Sequence, residues 1–109
     1  MDEKERLKQI ISQWKIKADN DLTIIEQTLF NENPVTDVLC FHCQQATEKY
    51  LKLFLVKNLV KPPKTHDIGI LLEACKKIDE SFIQLQDYIY LTDYAVEMRY
   101  PDEGNAFIV

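Results

Sequence analysis

The chain has 109 residues, of which 46% are apolar and 28% charged, and a formal net charge of −5. That length fills one domain, residues 1–109, around a single core. The acidic balance excludes non-specific nucleic-acid binding by the whole surface, so no strong DNA binding is expected.

The first expected helix covers residues 3–30. Leu7, Ile11, Trp14, Ala18, Leu22, Ile25 and Leu29 follow helical spacing along one face. Asp21, beside that stripe, is expected to pair with a cation from another helix. Asn31-Glu32-Asn33-Pro34 ends the helix, because proline disfavours the α region for the residue before it and suits the first turn of the next helix.

The second helix, residues 35–58, carries two stripes. Leu39, Cys43, Ala46, Tyr50 and Leu53 form an apolar line. Phe41, Gln45, Glu48, Lys52, Leu55 and Leu59 recur on roughly the opposite side, apolar at the ends and polar in the middle. One core contact needs only one stripe, so the second predicts another interface or a polar site. We expect Phe41, Leu55 and Leu59 at a homodimer interface, with glutamates at 41 and 55 giving a folded monomer.

Lys61-Pro62-Pro63-Lys64 is the clearest break in the chain. Thr65 is the expected cap of a third helix reaching residue 77, with Ile68, Leu71, Leu72, Cys75 and Ile78 buried. A turn at Asp79-Glu80-Ser81, with Ser81 as cap, leads into a fourth helix over 82–98, stopped by Pro101. It uses Leu85, Tyr88, Ile89, Ala95 and Val96. The first two helices are the longest and are joined by a short turn, so they should pack antiparallel. The expected fold is an all-α, up-and-down antiparallel bundle of four principal helices with no sheet.

Cys40 and Cys43 make a C-x-x-C, but inside a predicted helix and with no strand before it. Redox motifs of that spacing sit at helix N-termini, and a structural zinc site needs four ligands where only His66 and Cys75 remain. Small core residues in a reducing cytosol are the expectation, with no metal and no cofactor. The longest charge-free stretch, residues 38–47, is too short to span a membrane, and no apolar segment follows the charged N-terminus as a secretory signal. The expected localisation is cytoplasmic.

Trp14…Ala18…Asp21-Leu22 resembles the opening of HEPN domains (higher eukaryotes and prokaryotes nucleotide-binding). So do Phe41-x-x-Gln44-Gln45-Ala46-x-Glu48-Lys49-x-Leu51-Lys52, Pro63-x-Thr65-His66-Asp67-Ile68 and Arg99-Tyr100-Pro101-Asp102, in order along nearly the whole chain. The resemblance implies a helical bundle that dimerises. In prokaryotes it is often encoded beside a minimal nucleotidyltransferase, in toxin–antitoxin or nucleotide-modifying pairs. The family usually continues with another helix after the Arg-Tyr-Pro segment; none is expected here before Val109.

Many HEPN proteins are ribonucleases that use an Arg, four to six residues, then a His. Arg99 is followed at those positions by Gly104, Asn105 and Ala106, and Arg6 by Ile11, Ser12 and Gln13. A non-catalytic module is therefore expected, with a ribonuclease toxin or a plain dimerisation scaffold as alternatives. It would hold a nucleotide weakly or serve a nucleotidyltransferase partner. The candidate anion site combines Lys49, Lys52 and Arg99 as cations, Glu48 to orient one of them, Gln45 as neutral donor and acceptor, and His66 at the rim.

Overall fold

A computed structural model describes residues 2–88 of the chain apart from Glu32, Pro34 and Val35. Three α-helices, α1 (Glu3–Leu29), α2 (Thr36–Lys57) and α3 (Ile68–Lys76), are followed by a 3-10 helix at Glu80–Tyr88. The protein is an all-α bundle, with no strand among the described residues. The 3-10 helix replaces the start of the expected fourth α-helix; the remainder of that helix, with Ile89, Ala95 and Val96, lies outside the described residues.

Helix α1 begins where Asp2 accepts a 2.8 Å hydrogen bond from the Glu5 amide, and Glu3 and Glu5 place negative charge at the positive end of the helix. Its inward line differs from the expected stripe. Leu22 and Leu29 are 41% and 60% exposed, whereas Asp21 is buried. The line runs Leu7, Ile11, Trp14, Ala18, Asp21, Ile25 and Thr28, alternating steps of four and three. A carboxylate occupies a core step because α2 supplies its partners.

Helix α2 is the central element, packed against α1 and against α3, which in turn packs on the 3-10 helix. Its second stripe is shared between these neighbours: Lys52 meets α1 while Leu55 packs on α3. Contacts between α1 and α2 run in opposite order along the two helices. Lys52 meets Trp14, Tyr50 meets Asp19, and Lys49 meets Asp21, so the pair is antiparallel as expected.

The α2 C-terminus closes with hydrogen bonds from the Leu59 amide to the Val56 carbonyl (3.0 Å) and from the Val60 amide to the Leu55 carbonyl (2.9 Å). This is a Schellman turn, with Leu59 at the left-handed position that usually holds glycine. Its φ is 63°, and the side chain is 77% exposed.

Helix α3 starts later than expected. Asp67, not Thr65, is its cap, accepting from the amides of Gly69 (2.8 Å) and Ile70 (3.4 Å). Thr65 instead accepts from the Asp67 amide and braces the cap. Asp79 likewise displaces Ser81 at the following turn, accepting from the Ser81 amide at 2.9 Å. Hydrogen bonds from the Ser81 side chain and backbone hold the Asp79 carboxyl below its ordinary range. In both turns the cap is a carboxylate two residues from the hydroxyl expected in that role.

The core gathers Leu51 and Leu55 of α2 with Ile68, Leu71, Leu72 and Cys75 of α3. Phe54 and Phe82 stack beside it, with centroids 4.7 Å apart at 57°. Ile78, expected in this face, is 39% exposed beyond the helix end.

Candidate functional site

The polar residues of α2 form two carboxylate-centred clusters. Glu48, 3% exposed, is the first centre. It accepts from Lys52 Nζ at 3.0 Å, His66 Nδ1 at 2.7 Å and Gln44 Nε2 at 3.1 Å. Gln44 Nε2 also donates to the His66 carbonyl at 3.2 Å, and Gln45 Nε2 donates to Gln44 Oε1 at 2.8 Å. Lys52 lies 5.6 Å from the centroid of the Trp14 ring, close enough for a cation–π contact. Its charge is thus held between a carboxylate and an aromatic face.

Asp21 is the second centre. It accepts from Lys49 Nζ and, at 2.9 Å, from His42 Nδ1. The sequence expectation that Asp21 pairs with a cation from another helix is met by Lys49. Among described residues, no buried side-chain polar atom lacks a hydrogen-bond partner.

This placement redefines the candidate anion site. Glu48, Lys52, Gln45 and His66 belong to one network, and Glu48 orients Lys52 as expected. Lys49 turns instead toward α1. Both lysines already face a carboxylate, so a phosphate would have to compete with an intramolecular partner of like charge. Arg99 lies outside the described residues. Of the expected interface residues, Phe41 is half-buried with its ring against His42, and Leu59 is exposed. Leu55 is fully enclosed by the chain's own core, which removes it from any interface.

Sequence reasoning left four members of these clusters out of the candidate site: Asp21, Gln44, His42 and Trp14. Gln44 was legible as the residue one turn before Glu48. No spacing along the chain says that His42 or Trp14 completes a cluster.

A third polar contact joins the same helices. Tyr50 donates to Asp19 Oδ1 at 2.6 Å, while Lys15 binds the other oxygen of that carboxylate. Hydrogen bonds from Lys15 and Tyr50 hold Asp19 below its ordinary range. The bond to Asp19, followed by burial, pushes the Tyr50 phenol up to about 12. The folded chain holds this proton more tightly than the unfolded chain. The contribution to stability is therefore complete below about pH 10 and is lost as pH rises toward 12. A tyrosinate absorbance titration should show one phenol ionising late, and Asp19→Asn should return it to the ordinary range.

Cys40 and Cys43 are half-buried within α2. Burial, and then the neighbouring Cys40, pushes the Cys43 thiol up. Burial pushes Cys75 up to about 11. A redox C-x-x-C needs a lowered thiol at a helix start, and Cys43 has the opposite shift in a helix interior. No cluster of three or more His, Cys, Asp or Glu side chains suited to a metal occurs among the described residues. No helix among them is long and apolar enough to cross a membrane.

The fold and site together define a helical bundle whose central helix carries buried, ion-paired polar groups on two faces. The family model for the HEPN domain matches residues 11–106. The chain belongs to the HEPN domain family. No curated protein and no solved structure gives a significant match.

Proposed function

We propose that this HEPN domain is a non-catalytic, homodimeric partner module for a minimal nucleotidyltransferase in the cytosol, in a two-gene system of toxin–antitoxin type. The observation that carries the reading is Leu59. A non-glycine residue in the left-handed region costs about 1 kcal/mol, and here the side chain gains little burial within its own chain. A leucine held in that conformation and 77% exposed suits contact with another molecule. Phe41 on α2 is the second residue assigned to an interface.

Leu59→Gly tests the reading with two effects of opposite sign. Monomer stability should rise by about 1 kcal/mol, while self-association measured by sedimentation should weaken. A native chain that stays monomeric at high micromolar concentration would sink the dimer. Co-purification of a minimal nucleotidyltransferase with the tagged chain from its native host tests the partner, and its absence would sink that part of the reading.

The same reading expects weak contact with nucleotides, because Lys49 and Lys52 are already paired with carboxylates. Calorimetry with ATP should give at most millimolar-range affinity that falls with salt. Purified protein should leave RNA intact, since no His follows Arg99 at the ribonuclease spacing.

A further inference from the structure

His66 combines two properties that ordinarily exclude each other. Its Nδ1 is fixed at 2.7 Å from the Glu48 carboxylate, which is itself buried and held by Lys52 and Gln44. The rest of the imidazole is in solvent, with 84% of the side chain exposed. A carboxylate only accepts, so Nδ1 carries the proton of this bond. In the neutral ring, Nε2 then carries the lone pair and points away from the anchor. Nucleophile and orienting group are in place, the arrangement that activates a side chain for covalent chemistry.

We propose that His66 Nε2 is a phosphoryl-acceptor site, loaded from a donor of the phosphoramidate class and approached by the active site of another protein. Exposure selects this role over that of a general base. A base acting on a bound small molecule needs walls around the substrate, and an 84% exposed side chain has few. An acceptor that enters another protein's site has to protrude. In the transfer, the Nε2 lone pair attacks phosphorus and forms the new N–P bond. The N–P bond of the donor breaks, and its protonated nitrogen leaves as a neutral amine with the bonding pair. The ring keeps its Nδ1 proton, and the Glu48 charge offsets the positive charge that develops on it. No oxidation or reduction is involved. Glu48 is a positioning residue and does not touch the phosphoryl group. The proposal is independent of the nucleotidyltransferase reading.

Phosphoramidate itself is the probe. Incubation with the full chain should add one phosphoryl group, located by mass spectrometry on the peptide containing His66, stable in alkali and labile in acid. The native chain should react faster at His66 than the urea-unfolded chain, because only the folded chain holds Glu48 against Nδ1. His66→Ala should remove the modification. Glu48→Gln should slow it, with the helical circular dichroism retained. Nitrogen NMR of the native ring, which does not depend on any variant folding, should show the Nδ1-protonated tautomer. Equal rates in native and unfolded chains, modification centred on His42, or an Nε2-protonated ring would each overturn the proposal.

Discussion

Replacing Leu55 with alanine should lower the unfolding free energy by about 3–4 kcal/mol, read from urea denaturation. Leu55 is 0% exposed and packs with Leu51, Ile68, Leu71, Leu72 and Cys75. Truncation removes apolar area from the contact between α2 and α3 and leaves a cavity, because the neighbouring side chains are held by two helices that cannot both relax inward. Leu55→Glu should prevent folding outright, since a carboxylate there has no hydrogen-bond donor within the apolar cluster. A double substitution intended to give a folded monomer therefore belongs at Phe41 and Leu59. Folded Leu55→Glu protein, with native near-ultraviolet circular dichroism, would show that this core is not the one described.

Asp21→Ala should be nearly as damaging, at about 3 kcal/mol. The substitution leaves Lys49 and His42 facing α1 without their acceptor. Both retain some contact with water, which places the loss at the low end for a broken buried pair. The carboxylate is 6% exposed at the residue level, so the effect should persist in high salt, where a surface pair would be screened. A double-mutant cycle with Lys49→Met separates the charge from the packing. If Asp21→Ala costs no more than substitution of the more accessible Asp19, the cluster contributes nothing measurable.

Much of this bundle is legible along the chain. The Asn-Pro pair places the junction between α1 and α2, and the Pro-Pro break places the end of α2 to within a few residues; the Asp2 cap and the Leu59 turn that set the ends themselves come from the structure. The apolar face of α3 follows from its spacing. Caps were less legible because Thr65 and Asp67 are both good capping residues, and the choice depends on which oxygen reaches two amides. Leu22 and Asp21 illustrate a second limit: hydrophobic spacing favours the leucine, but a carboxylate wins when the facing helix offers a lysine and a histidine.

The polar groups were legible only in part: Gln45, Glu48, Lys52 and His66 share one network, whereas Asp21, His42, Gln44 and Trp14 were left out. Glu48 and Lys52 form the same i, i+4 pair whether exposed or buried. Only the placement of Trp14 and His66 shows that the pair is enclosed. His66 reaches Glu48 from a loop that precedes another helix, a contact that sequence spacing does not encode. Lys49 looked available for phosphate for the same reason, since the partner that claims it lies on α1.

The staggered clusters also act as an axial ruler for the two long helices. Apolar side chains tolerate sliding, because one leucine can replace another in a hollow. Moving α1 by one turn along α2 would withdraw Asp21 from Lys49 and His42 and Trp14 from Lys52 at the same time, and would bring apolar groups opposite buried charge. Directional polar contacts of this kind penalise misaligned packings more than they stabilise the aligned one. The charges inside this bundle therefore specify which of several similar helix alignments is the native one.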